Sequence, residues 1–348
     1  MSQIVSLFQA AVYFGTVILF GAVGEILAEK SGNLNLGVPG IMYMGGIAGL
    51  IAAFLYENGT ANPVPAVAIL VTLAAAFVMS MIGGLIYSVL TITLRANQNV
   101  TGLTLTIFGS GFANLFGGNL NKMAGGAGQI SVAFTSGVYR TKIPFLSDST
   151  GVFGEMFFFY GFLAYVAIIV ALAVKWFLNR TSVGLNLRAV GENPATADAA
   201  GINVTKYKYV ATCVGAGISG LGGLYYTMDY IKGTWATDGS IEKLGWLAVA
   251  LVIFATWKPN RAIWGAYLFG LLSWVYYYLP GLTRSSQEIF KMLPYVVTLL
   301  VLIVVSLRRS KESQPPASLG LAYFREDRCV AWRSYRPLRA LRRTDIAF

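Results

Sequence analysis

The sequence predicts an all-α fold, a polytopic transmembrane helical bundle of about nine spans, within a range of roughly eight to ten that includes broken or half-helices. Three observations carry this: an apolar composition, a series of long uncharged runs, and a single charged interruption at residues 184 to 208. Hydrophobic residues make up 56% of the chain and charged residues 12%, and the mean hydropathy is +0.63. A soluble core of 348 residues cannot hide that much apolar surface.

The spans follow from where charge is absent. An ionisable side chain at the bilayer centre costs roughly 2.5–3.5 kcal/mol or more, and about 20 apolar residues cross the hydrocarbon. Uncharged runs cover 1–24, 31–56, 58–94, 96–121, 156–174, 209–228, 244–257, 262–283 and 292–307. The run from Leu244 to Trp257 makes roughly 21 Å of helix against a hydrocarbon core of about 30 Å. It therefore reads as a half-helix, or as a helix that starts earlier, near Gly239. No Lys or Arg precedes Lys30, so the first run lacks the basic start of a cleaved signal peptide and reads as a retained span.

Orientation follows from Lys and Arg. With 184–208 on the cytoplasmic side, that side takes Lys30, Arg95, Lys175, Arg180, Arg188, Lys206, Lys208, Lys258, Arg261 and the basic tail. The assignment leans on the tail, and the net charge of +11 is a topology signal, not a nucleic-acid one. The expected organisation is a transmembrane domain over 1–308, with 184–208 as a cytoplasmic segment, followed by a disordered basic tail over 309–348. The longest outside loop, about 118–152, carries Lys122, Arg140, Lys142 and Asp148 and reads as a lid, a docking loop or a plain solvated loop.

What is missing narrows the chemistry. The chain has no His, so imidazole bases, Ser-His-Asp triads and His-liganded metals are out. Cys213 and Cys329 stand apart, with no metal or disulfide spacing. All the Asp and Glu residues fall outside the uncharged runs, at or beyond the expected membrane edges, and no pair of them suggests acid/base work. An enzyme is not expected, nor any metal or bound cofactor. GAGISG at Gly215–Gly220 matches GxGxxG but lies inside an uncharged run. There it reads as close helix packing through the small pairs Ala216/Gly220 and Ser219/Gly223. GGAG at 125–128 lacks the Lys-Ser/Thr of a P-loop, so ATP-driven work would need another polypeptide.

The interruption itself has the parts of a short helix. Asn193 and Pro194 form an N-cap and first-turn pair, Ala195, Ala197, Ala199 and Ala200 favour helix, and Gly201 suits its end. Such a helix is short enough to lie in a partner's groove. At the membrane entries, Asn33 and Asn35 precede Gly37, Pro39 and Gly40, and Asn97, Gln98 and Asn99 open the fourth run. Polar, Gly/Pro-interrupted entries can line a cavity, and amides suit an uncharged, hydroxylated substrate; helix capping and an interfacial turn are the alternatives. Tyr225, Tyr226, Trp235, Trp246 and Tyr276–Tyr278 could stack on a base, but read better as an interfacial aromatic belt.

Three stretches carry a family resemblance: GEILAEKSGNLNLGVPGIMYMGG (24–46), RANQNVTG (95–102) and GLNLRAVGENPATADAAGI (184–202). Together they resemble the inner-membrane permeases of ABC importers for simple sugars, branched-chain amino acids and nucleosides. The first stretch and PASLGLAYFRED (316–327) are most similar to the nucleoside branch, while the residues after Arg328 match nothing in it.

The resemblance implies a multi-pass subunit of a prokaryotic cell membrane, surrounded by lipid. Its implied partners are ABC ATPase subunits that use the ATP, a second permease (a paralogue, giving a heterodimer), and an extracytoplasmic substrate-binding lipoprotein or protein; nucleic acid is not among them. It further implies that 193–201 receives the ATPase stroke, with Arg188, Gly191, Glu192, Asn193, Pro194, Ala197, Asp198 and Gly201 as coupling residues. Nucleosides are the expected cargo, with sugars such as ribose or branched-chain amino acids as the alternative. A stand-alone secondary transporter would call for an intramembrane charge, which the uncharged runs lack.

Overall fold

The computed structural model describes residues 3–123, 131–141, 152–279, 281, 283–308 and 314–324. Among these there are helices and no strands. The helices are α1 (Gln3–Glu29), α2 (Val38–Gly59), α3 (Pro65–Ser88), α4 (Gln98–Met123), α5 (Ala133–Tyr139), α6 (Val152–Phe157) and α7 (Phe162–Arg180). They continue with α8 (Ser182–Glu192), α9 (Pro194–Ala199), α10 (Val204–Tyr225), α11 (Ser240–Phe254), α12 (Pro259–Trp274), α13 (Arg284–Lys291) and α14 (Leu293–Arg308). π turns at Val89–Thr93 and Tyr226–Tyr230 extend α3 and α10, and a 3₁₀ turn at Val275–Tyr278 extends α12.

Proline sets many of the starts. It lies in the first turn of α2, α3, α9 and α12, where its fixed φ fits and its missing N–H costs nothing. Five helices are long and apolar enough to cross a membrane, and α13 with α14 forms a sixth candidate bent by 42°. Helices α10, α11 and α12 pack into the same bundle but are not by themselves long and apolar enough to cross, so five or six candidates among the described residues stand beside the nine spans expected. The short run near Leu244 begins at Ser240, after Gly239 in the left-handed region (φ +73°), so α11 has 15 residues and stays a short helix.

The bundle is organised around α10, which packs on α1, α2 and α3. Its glycines permit this. A Cβ at Gly24 of α1 or at Gly215 of α10 would overlap the other's carbonyl oxygen, and one at Gly223 would overlap the carbonyl of Met42 on α2. The Ser219 hydroxyl donates to the Gly21 carbonyl at 3.1 Å. GAGISG is thus a close-packing face, as its position in an uncharged run suggests. Outward, α3, α4 and α14 expose large apolar side chains such as Leu70, Ile107 and Leu299, as lipid contact requires.

Four expectations are corrected. Tyr225, Tyr226 and Trp235 do not form a belt; they are buried, with Tyr225 stacked near Tyr13 and Trp235 tilted against Tyr43. Tyr277 alone of the named aromatics exposes as much as 63% of its surface. The 118–152 region is not one solvated loop: α5 buries Thr135, Ser136 and Tyr139, and Ser136 donates to the Met228 carbonyl at 2.8 Å. Lys142, Asp148 and GGAG at 125–128 lie outside the described residues. The carboxylates are not all peripheral, since Glu25, Glu29 and Asp229 are buried within the fold. Finally, 314–324 does not trail away as part of a tail but folds back onto the 184–208 segment.

Candidate functional site

The 184–208 segment folds as α8 and α9 plus the first turn of α10, each opened by a side-chain cap. Thr181 accepts the Gly184 N–H at 3.0 Å, Asn193 the Thr196 N–H at 3.1 Å, and Asn203 the Lys206 N–H at 3.0 Å. The helix expected from Asn193 is therefore present, though at six residues it is shorter than expected, and Gly201 follows it in the left-handed region (φ +85°). Ala197 points inward and shares a small core with Val190 and Val204. Asn193, Thr196, Ala199 and Ala200 are exposed. Replacing Asn193 with Ala removes the cap and is expected to cost α9 about 1 kcal/mol, read as faster amide exchange at 194–199 with the bundle unchanged.

The other coupling candidates have local partners. Arg188 donates to the Asn179 side-chain oxygen at 3.1 Å. Glu192 accepts the Ala317 N–H at 3.3 Å, and Asp198 accepts the Tyr323 hydroxyl at 2.8 Å. Gly191 is needed for close approach, because a Cβ there would overlap the carbonyl oxygen of Lys30. Burial lowers the Lys30 amine from its ordinary range, with Glu192 opposing the shift.

The amides divide. Asn33 donates to the Thr212 hydroxyl at 2.9 Å, while its side-chain oxygen is buried without a partner among the described residues. Gln98 accepts the Leu34 N–H at 2.7 Å. Asn35 is used within the α1–α2 turn: its N–H goes to Glu25 at 3.0 Å and its side-chain oxygen takes the Gly37 N–H at 2.9 Å. Asn97 caps the start of α4 by accepting the Val100 N–H at 3.1 Å, and Asn99 is exposed.

Two polar cavities flank the segment. The larger, about 770 Å³, brings Asn33 and Gln98 together with Asp198 and Gly201, and Lys206 and Lys208 also line it. The smaller, about 460 Å³, is lined by Lys30, Arg188, Glu192 and Trp257 among others. Asn35, Asn97 and Asn99 line neither.

Sequence reasoning missed several residues here. Glu25 and Glu29 lie one turn apart on α1, both buried, and each holds a different connection: Glu25 the α1–α2 turn, Glu29 the indole N–H of Trp257 between α11 and α12. Their i, i+4 spacing was the available signal, but the partners come from the tertiary structure. At the opposite end of α10, the Asp229 carboxylate and the Tyr225 hydroxyl are buried with no hydrogen-bond partner among the described residues. No His, Cys, Asp and Glu grouping among the described residues could hold a metal.

Residues 6–302 match the family model for the permease component of branched-chain amino acid transport systems. The chain belongs to that family. It is a multi-pass membrane protein and a transport subunit, not an enzyme, and it works with an ATPase and a substrate-binding protein.

Among curated relatives, the chain is 31% identical over 347 residues to the Haloferax volcanii protein named "Putative glucose ABC transporter permease protein TsgC13", covering 94% of this chain and 99% of that one. It is 30% identical to the guanosine ABC transporter permease protein NupQ of Bacillus subtilis, over 86% of this chain and 92% of that protein. It is 31% identical to the nucleoside ABC transporter permease protein NupC of Lactococcus lactis, over 83% and 88%. No solved structure matches the chain.

Proposed function

We propose that this permease imports nucleosides across a prokaryotic plasma membrane, taking them from an extracytoplasmic binding lipoprotein or protein and releasing them into the cytoplasm. It binds no cofactor; ATP is used by the partner ATPase, and the second permease of the assembly is a paralogue. The observation that carries the mechanism is α9, presented on an exposed end of the bundle and seated on α8 and α10 by Ala197. A closing ATPase dimer pushes α8 and α9 as one body, and the bundle responds by opening its path to alternate sides.

In this reading Arg188, Gly191, Glu192, Asn193, Pro194, Ala197, Asp198 and Gly201 build the coupling site. Gly191 and Ala197 seat it, Asn193 and Pro194 start its helix, and the charged residues hold its edges. Asn33 and Gln98 are the two amides retained as path residues, because they line the cavity that α9 borders. Uncharged amides match the hydroxyls and ring nitrogens of a nucleoside, which need both donors and acceptors.

A pull-down from mild detergent tests the docking: an ATPase is expected to co-purify, and joint replacement of Arg188, Glu192 and Asp198 is expected to abolish ATP-driven uptake. Absence of an ATPase, or intact uptake in the triple variant, refutes the assignment. For cargo, guanosine or uridine uptake with the cognate binding protein is expected. The likeness to a protein named for glucose supports a second reading, a sugar permease, and transport of sugar but not nucleoside would select it.

A further inference from the structure

We propose that residues 316–324 are a transmission strap that couples movement of α8 and α9 to the turns holding Asn33 and Gln98. Its anchors to the coupling pair are specific. Ser318 gives both its N–H (3.0 Å) and its hydroxyl (2.6 Å) to the Gly191 carbonyl, at the last turn of α8. One residue earlier the Ala317 N–H meets Glu192, and further on the Tyr323 hydroxyl meets Asp198 on α9. The Tyr323 ring also packs on the Val190–Ala197–Val204 core.

The same nine-residue stretch grips the path side. The Gly320 N–H donates to the Gly32 carbonyl at 3.3 Å, one residue before Asn33. Gln98 donates to the Leu321 carbonyl at 3.4 Å while its oxygen accepts the Leu34 N–H. The Arg95 guanidinium lies 4.4 Å over the Phe324 ring. Two left-handed glycines make the approach possible: Gly32 (φ +89°), where a Cβ would press on the Ser318 hydroxyl at 2.6 Å, and Gly320 (φ +79°).

Geometry explains why such a tie would matter. Helix α9 packs mainly on α8 and α10, while Gln98 opens α4 and lines the cavity that Asp198 borders. The strap touches α8, α9, the α1–α2 turn and the α3–α4 turn within a few residues. Pro316 and Ser318 are buried, so the strap is anchored into this end of the bundle at its start, while Leu321, Ala322 and Phe324 run along the surface. It reaches the two sides through hydrogen bonds with defined partners, and pulling the strap off α8 would strand the buried Ser318 hydroxyl.

The proposal rests on α8 and α9 receiving the ATPase stroke, and the test separates the two. Ser318→Ala with Tyr323→Phe removes the two hydroxyls and leaves the backbone bonds; Tyr323→Phe by itself is the variant least able to disturb folding. In the permease alone, amide exchange at 30–37 and 189–201 is expected to speed up by about tenfold in the double variant. In the assembly reconstituted with its ATPase and binding protein, cargo moved per ATP hydrolysed is expected to fall by about fivefold or more, with ATPase co-purification and hydrolysis retained. Guanosine is the probe, or the sugar if the uptake assay selects it.

An unchanged transport-to-hydrolysis ratio in both variants overturns the strap, as does unchanged exchange, or loss of the ATPase from the assembly. A native chain that recruits no ATPase shows itself before any variant is made, and overturns the reading of α8 and α9 together with the strap.

Discussion

Replacing Gly223 with Val is expected to cost the folded permease at least about 3 kcal/mol, the upper end for overpacking a close-packed site. The new Cβ would sit on the carbonyl oxygen of Met42, with the Met42 carbonyl carbon and the Gly46 nitrogen close behind. All three are backbone atoms of α2, so relief requires separating α10 from α2 and not merely turning a side chain. Separation also loosens Gly220, whose contact with Gly45 depends on the same approach. The measurement is folded, monodisperse permease recovered from membranes, expected to fall by about 100-fold or more, since each step of about 1.36 kcal/mol is a decade. Gly59→Ala is the matched control, because nothing lies within 4 Å of a Cβ there, and it is expected to leave recovery unchanged. Normal recovery of Gly223→Val would mean that α10 does not pack on α2 through this face.

Ala197→Asp is expected to reduce ATP-driven uptake by about 100-fold or more, close to 2.7 kcal/mol, without reducing the amount of bundle in the membrane. Ala197 is 3% exposed between Val190 and Val204, and a carboxylate there would be buried with no cation in that small core. The cheapest relief is for α9 to leave its seat. Since α9 is six residues long and packs mainly on α8 and α10, the damage stays local. Uptake is the readout, with recovery of folded protein measured beside it to keep coupling and folding apart. Retained uptake would show that the stroke does not pass through α9.

The two variants probe two kinds of information. Gly223 belongs to a run, GAGISGLGG, whose small residues could be read as a helix-packing face from their spacing and from the uncharged span around them. Ala197 belongs to a helix whose start was legible in Asn193 and Pro194 and whose end was legible in Gly201. Both are local signals: a period along one helix, a cap, a φ that only glycine tolerates well. The succession of spans was legible for the same reason, because the cost of charge in hydrocarbon acts residue by residue.

What was not legible depends on residues far apart in the chain. Trp257 reaches Glu29 across 228 positions, and Ser318 reaches Gly191 across 127. Nothing near either member marks its partner, so Glu25 and Glu29 read as edge charges and 314–324 as tail. The aromatic residues failed for a related reason: Tyr225, Tyr226 and Trp235 have the amphipathic character of a belt, and only their neighbours Tyr13 and Tyr43 decide that they are interior. For Asn35 and Asn97 the sequence left a path role open beside capping or an interfacial turn, because an amide that caps a turn and one that meets a solute look the same in sequence.

The sequence by itself determined that this protein is an all-α membrane bundle with a charged, capped helical segment between two spans, because solvation cost, capping and helical period are properties of short stretches. Only the tertiary structure decided that this segment is seated on a small core, bordered by two polar cavities and tied by 316–324 to the turns of Asn33 and Gln98. Those contacts form only when side chains and backbone groups far apart in the chain are brought together as the bundle closes.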